Sequence, residues 1–86
     1  MNKPEKLIQS YVLEKFFVST IYRKCSAMIE SPTWYYETIV FEWDKETKKA
    51  GRILDSFDSG SEPRDALVNH NNTCLKYFAA LDGKGV

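Results

Sequence analysis

The chain has 86 residues, of which 43% are hydrophobic and 14% aromatic, and its 12 basic residues balance its 12 acidic ones. That length makes a single domain (residues 1–86) with a modest core, burying about 60–65% of its unfolded surface, and the composition argues against disorder. Neutrality excludes the electrostatic footprint of a duplex nucleic-acid binder and the acidity of a DNA mimic, and no apolar run approaches the roughly 20 residues of a membrane span.

Met1-Asn2-Lys3-Pro4-Glu5-Lys6 leads into only a short apolar patch, so no targeting peptide is read and the expected compartment is cytoplasmic. Pro4 to Leu13 predicts a short helix, with Pro4 suited to a first turn and Leu7, Ile8, Tyr11 and Val12 at helical spacing. So short a helix must dock on something. The alternative is a frayed extension, residues 1–14, that runs into the next strand.

Phe16 to Cys25 reads as the first strand, rich in aromatic and β-branched residues. Ser26 to Thr33 is a loop that Ser31-Pro32 keeps out of regular pairing. Trp34 to Asp44, aromatic and β-branched without Gly or Pro, is the central strand. Its odd positions (Tyr35, Glu37, Ile39, Phe41, Trp43) share one face with Phe17, Ser19, Ile21 and Arg23. Its even positions share the other with Phe16, Val18, Thr20 and Tyr22. Lys45 to Gly51 is a polar turn, with Gly51 available for a positive φ angle. Arg52 to Phe57 then makes a third strand, closing a sheet over residues 16–58.

Ser61 or Glu62 can cap a helix over residues 62–82, with Pro63 in its first turn and Asp65 at the positive end of the dipole. Leu67, His70, Cys74, Phe78 and Leu81 fall on one stripe. Asn69 to Thr73 has poor helix propensity, so packing must hold the middle. Asp82-Gly83 ends the helix, with Gly83 placed for a left-handed cap and the last residues loose. The expected fold is therefore α+β: a three-stranded antiparallel meander, a long C-terminal helix on one face and a short N-terminal helix.

Cys25 and Cys74 match no zinc spacing, and the chain has a single histidine. Two free thiols, no metal and no cofactor are expected.

Three stretches carry a resemblance: Ser19-Thr20-Ile21-Tyr22, Glu37-Thr38-Ile39-Val40-Phe41 and Ala66-Leu67-Val68-Asn69-His70. Together they resemble an S-T-[VI]-[FY], E-T-[MI]-V-F, A-x-x-x-H pattern of small, functionally uncharacterised phage and prophage proteins. The similarity spans roughly residues 16 to 78. The pattern often has a small residue before the histidine, where this chain has Asn69. The resemblance implies a phage or mobile-element origin, which would place the protein in the host cytoplasm, and supplies no activity.

Ser19 and Glu37 share the odd face, and His70 lies on the helix stripe expected to cover it. The three are expected to meet in a buried polar network that fixes helix register, because a buried carboxylate needs a partner. A serine, a histidine and a carboxylate also suggest a small hydrolase centred on His70. That reading lacks a nucleophile elbow at Ser19, an oxyanion hole and a deep cleft.

The even face carries Phe16, Tyr22, Trp34, Tyr36 and Val40, an apolar face too large to stay open. The N-terminal helix, a second copy, or a ligand such as stacked single-stranded bases could cover it. Arg23, Lys24 and Arg52 are the phosphate contacts of the last reading, but neutrality and the missing RNP signature count against nucleic acid. The sequence thus reads as a small non-enzymatic accessory protein that binds another protein or itself. A weak single-strand binder is the alternative.

Overall fold

The fold was obtained as a computed structural model, which describes residues 5–25 and 33–84. Four strands, β1 (Glu5–Val12), β2 (Phe16–Cys25), β3 (Thr33–Asp44) and β4 (Lys49–Asp58), form one antiparallel sheet in the order β1-β2-β3-β4. A single helix, α1 (Pro63–Lys84), follows and lies across one face of that sheet. The architecture is α+β with a C-terminal helix, as expected, but with four strands and no N-terminal helix.

The additional strand occupies the stretch expected to be helical. Leu7, Ile8, Tyr11 and Val12 suit either period, and β-branched and aromatic residues gain most from an open sheet edge. β2 offers that edge, and β1 pairs with it from Glu5↔Tyr22 to Val12↔Phe16 with one irregularity between Lys6 and Ile8. The connection is a tight turn in which Leu13 and Glu14 both have positive φ (52° and 56°) and Lys15 N–H donates to the Val12 carbonyl at 3.0 Å. Such a turn usually advertises itself through Asn-Gly or Asp-Gly, and Leu-Glu gives no such signal.

β2 and β3 pair without slippage from Phe16↔Glu42 to Cys25↔Thr33. The loop expected over Ser26 to Thr33 lies outside the described residues except for Thr33, which opens β3; Met1–Pro4 and Gly85–Val86 also lie outside them. β4 is longer than expected and starts at Lys49, because the turn closes early: Asp44 Oδ1 accepts the Glu46 N–H at 2.9 Å. Lys48 takes the left-handed conformation there (φ 58°), whereas Gly51 lies within β4 and does not. The β3–β4 ladder is irregular on both sides of Phe41.

Helix α1 starts at Pro63 with the Ala66 N–H bonded to the Glu62 carbonyl at 3.0 Å, matching the expected first turn. It runs through Gly83 to Lys84, so Gly83 is not its cap. Its buried stripe is Ala66, His70 and Thr73, with Cys74 and Tyr77 packed beside it, while Leu67 and Phe78 stay exposed. The stripe is therefore turned by about 60° from the one expected, with His70 and Cys74 common to both.

The helix also covers the other face of the sheet. Val12, Val18 and Val40 form the buried apolar core, with Phe16, Leu54, Cys74 and Tyr77 packed against them. Val18 and Val40 are even-face residues, and so are Thr20 and Thr38, all fully buried. The odd face carries Phe17, Phe41 and Trp43, and no element among the described residues covers it. Small β-branched side chains let a helix approach the sheet closely, whereas a layer of aromatic rings holds it off. Where the helix makes its closest contact the covered face is built of small side chains, Val18, Thr20, Thr38 and Val40, while the aromatic rings of that face lie to either end.

Candidate functional site

Under the helix, a chain of polar side chains crosses the sheet. In β2 and β3 the sequences Val18-Ser19-Thr20 and Thr38-Ile39-Val40 run antiparallel, which sets Thr20 opposite Thr38 and Val18 opposite Val40. Thr20 Oγ1 and Thr38 Oγ1 are 2.8 Å apart, and Thr38 continues the chain to the Ser59 hydroxyl just past β4. His70 descends from α1 onto this row, with Nδ1 2.8 Å from Thr20 Oγ1. Its other nitrogen, Nε2, is 2.8 Å from Ser10 Oγ in β1. The Cys74 thiol, one helical turn further on, faces the same Ser10 hydroxyl.

One residue from every element except β4, with Ser59 beside it, thus meets at His70. His70, Thr20, Thr38 and Ser59 are completely buried. Among the described residues, no buried side-chain nitrogen or oxygen lacks a partner. The network is closed, which is the condition under which buried polar groups fix a unique arrangement rather than destabilise it.

No carboxylate bonds the ring. Burial alone pulls the His70 imidazole below its ordinary value, so the neutral form is favoured. In that form one nitrogen donates and the other accepts, and each hydroxyl passes one proton along. The row can therefore be polarised in either direction without losing a bond. Burial also raises the Cys74 thiol, with the Ser10 hydroxyl opposing, so Cys74 is not an activated thiolate.

The expected network of Ser19, Glu37 and His70 is not the one that forms. Ser19 is buried on the opposite face, where its hydroxyl accepts from Gln9 Nε2 at 3.0 Å. Glu37 lies on that face too, and its Oε1 is 2.7 Å from Arg23 Nη1, a side chain 44% exposed. Only His70 belongs to the buried centre, because the helix chose the even face. Ser10, Thr20 and Thr38 are the partners that sequence reasoning missed. The mirrored Val-x-Thr and Thr-x-Val pattern was the available signal: two hydroxyls facing each other in a core call for a third polar group.

Ser10 and His70 have the spacing of a nucleophile and its base. Thr20 stands where such a device needs an orienting carboxylate, and a neutral hydroxyl does little to stabilise imidazolium. The ring is sealed from solvent. Two surface clefts of about 660 and 220 Å³ lie at the β1–β2 and β3–β4 turns and between β4 and α1, and neither includes Ser10 or His70. The arrangement is suited to tying a helix to a sheet.

The expected binding face also divides. Val40 is buried in the core, and Phe16 lies under the helix with its ring 4.9 Å from that of Tyr77. Tyr22, Trp34 and Tyr36 form a partly buried stack beyond His70, with Tyr22 5.1 Å from Trp34 and 4.6 Å from Tyr36. The open aromatic surface is on the other side. There Tyr11 packs 5.1 Å from Phe17 and 4.8 Å from Trp43, and Phe17 lies 5.9 Å from Phe41. Tyr11 and Ile53 are 60% and 56% exposed.

Among the described residues no helix is long and apolar enough to cross a membrane, and no group of three or more His, Cys, Asp or Glu could hold a metal ion. Comparison with protein-family models, curated proteins and solved structures finds no match for the chain.

Proposed function

We propose that the chain is a small non-enzymatic accessory protein of phage or prophage type that works by binding another protein. The observation that carries the reading is the uncovered sheet face with Tyr11, Phe17, Phe41, Trp43 and Ile53, an apolar aromatic surface of the kind that marks interaction sites. Aromatic side chains supply large contact area for little conformational entropy. The polar groups with catalytic potential are committed to the sealed chain around His70, which supports a binding role over a reaction.

Single-stranded nucleic acid is the second reading, favoured by the Tyr22–Trp34 stack. Against it, Arg23 is paired with Glu37 and Arg52 with Glu42, and the net charge is zero.

Two measurements separate the readings. Affinity capture from host lysate should retain a protein on the wild-type chain and lose it in Ile53→Lys and Trp43→Ala. Fluorescence titration with single-stranded oligonucleotides at two salt concentrations should show no binding. Binding that falls steeply with salt and vanishes in Trp34→Ala would overturn the protein-binding reading in favour of the second.

A further inference from the structure

We propose that a second copy of this chain pairs along β1, antiparallel β1 to β1 about a twofold axis, with the two α1 helices side by side above the joined sheet. The two edges of the sheet are unequal. β4 is broken by irregularities on both sides of Phe41 and carries Lys49, Arg52, Asp55 and Asp58, features that discourage edge pairing. β1 pairs regularly from Ile8 to Val12, and its stretch Leu7-Ile8-Gln9-Ser10-Tyr11-Val12 has no charge. Antiparallel pairing centred in that stretch sets no like charges opposite each other.

The helix is unequal in the same sense. Its flank toward β4 is polar: Asn69, Asn72 and Lys76 line a cleft with Asp55 and Phe57. At about 100° per residue, the opposite flank, toward β1, presents Leu67 and Phe78, 38% and 47% exposed, with Asn71 beside them and Leu75, 65% exposed, nearer the solvent side. The helix packs on β1, β2 and β3, so this flank stands above the β1 edge.

A twofold axis normal to the sheet brings edge to edge and, by the same rotation, apolar flank to apolar flank. That coincidence favours a copy of the same chain over an unrelated partner, since an isologous contact requires each surface to complement itself. The wall is about 26 Å long at 3.3 Å per residue and two layers deep. That suits the lower end of specific interfaces, about 1,000 Å² counted over both partners. This surface is separate from the open sheet face, so either proposal can fail alone.

Sedimentation velocity of the 86-residue chain over a concentration series should show a dimer. Leu75→Glu and Phe78→Glu, singly and together, should weaken self-association at least tenfold with unchanged far-UV circular dichroism. Asn72→Glu on the polar flank and Ile53→Lys on the open face should leave it intact. Hydrogen exchange of the wild-type β1 amides should slow as concentration rises, a readout that needs no variant. A monomer at every concentration, exchange in β1 independent of concentration, or a dimer abolished by Ile53→Lys and not by the helix variants would each overturn the proposal.

Discussion

The helix-covered face of the sheet is lined with Val12, Val18, Val40, Thr20 and Thr38, all nearly or fully buried, whereas the open face carries Tyr11, Phe17, Phe41 and Trp43. The covered face admits the helix closely and places an imidazole where two hydroxyl groups, those of Ser10 and Thr20, satisfy both its nitrogens. The open face shields itself by ring-on-ring contact and carries the Arg23–Glu37 ion pair. One side is a tight, polar-centred core; the other is a surface.

The sharpest way to break that contrast is to remove the centre. His70→Ala leaves the Ser10 and Thr20 hydroxyls without their partner and opens a cavity, so urea unfolding should show a loss of about 2–4 kcal/mol. Glu37→Ala should cost less than about 1 kcal/mol, because it breaks a partly exposed ion pair. Equal losses would mean that the two faces contribute alike.

Thr20→Val is the next largest. It keeps the shape of the side chain and removes the hydroxyl between His70 and Thr38, at a cost of about 1–3 kcal/mol. Measured in a cycle with His70→Ala, the two should be strongly non-additive.

Acid should act on the covered face alone. The folded-state pKa of His70 is lowered, so the unfolded chain takes up the proton first. The stability due to neutral His70 is complete above the ordinary imidazole value of 6.5 and is lost as pH falls below it. The loss should reach at most about 1.4 kcal/mol per pH unit. It should be visible between pH 6.5 and about pH 5, before most carboxylates titrate, and His70→Gln should flatten it.

The strand shared by both faces offers a gain. Replacing Leu13-Glu14 with Asn-Gly suits the positive φ angles of that turn, and should raise stability by about 1 kcal/mol in the same unfolding assay. The smallest effect belongs to the open face: Ile53→Lys should change stability by no more than about 0.5 kcal/mol.

The sequence by itself determined β2, the central strand from Trp34 to Asp44, most of β4 and the start of α1, because each carries a strong local pattern or a Pro and Gly boundary. It also singled out His70 as a buried histidine. The identity of β1 was not legible, since Leu7-Ile8 and Tyr11-Val12 fit two periods and the Leu13-Glu14 turn lacks its usual residues. Nor was the choice of face. Alternation along β2 and β3 divides the residues into two correct sets, but it does not say which set meets the helix. That was decided by volume and by polar satisfaction across distant segments: Ser10, Thr20, Thr38 and Ser59 become partners only once register and helix rotation are fixed together, and no local window of sequence holds that information.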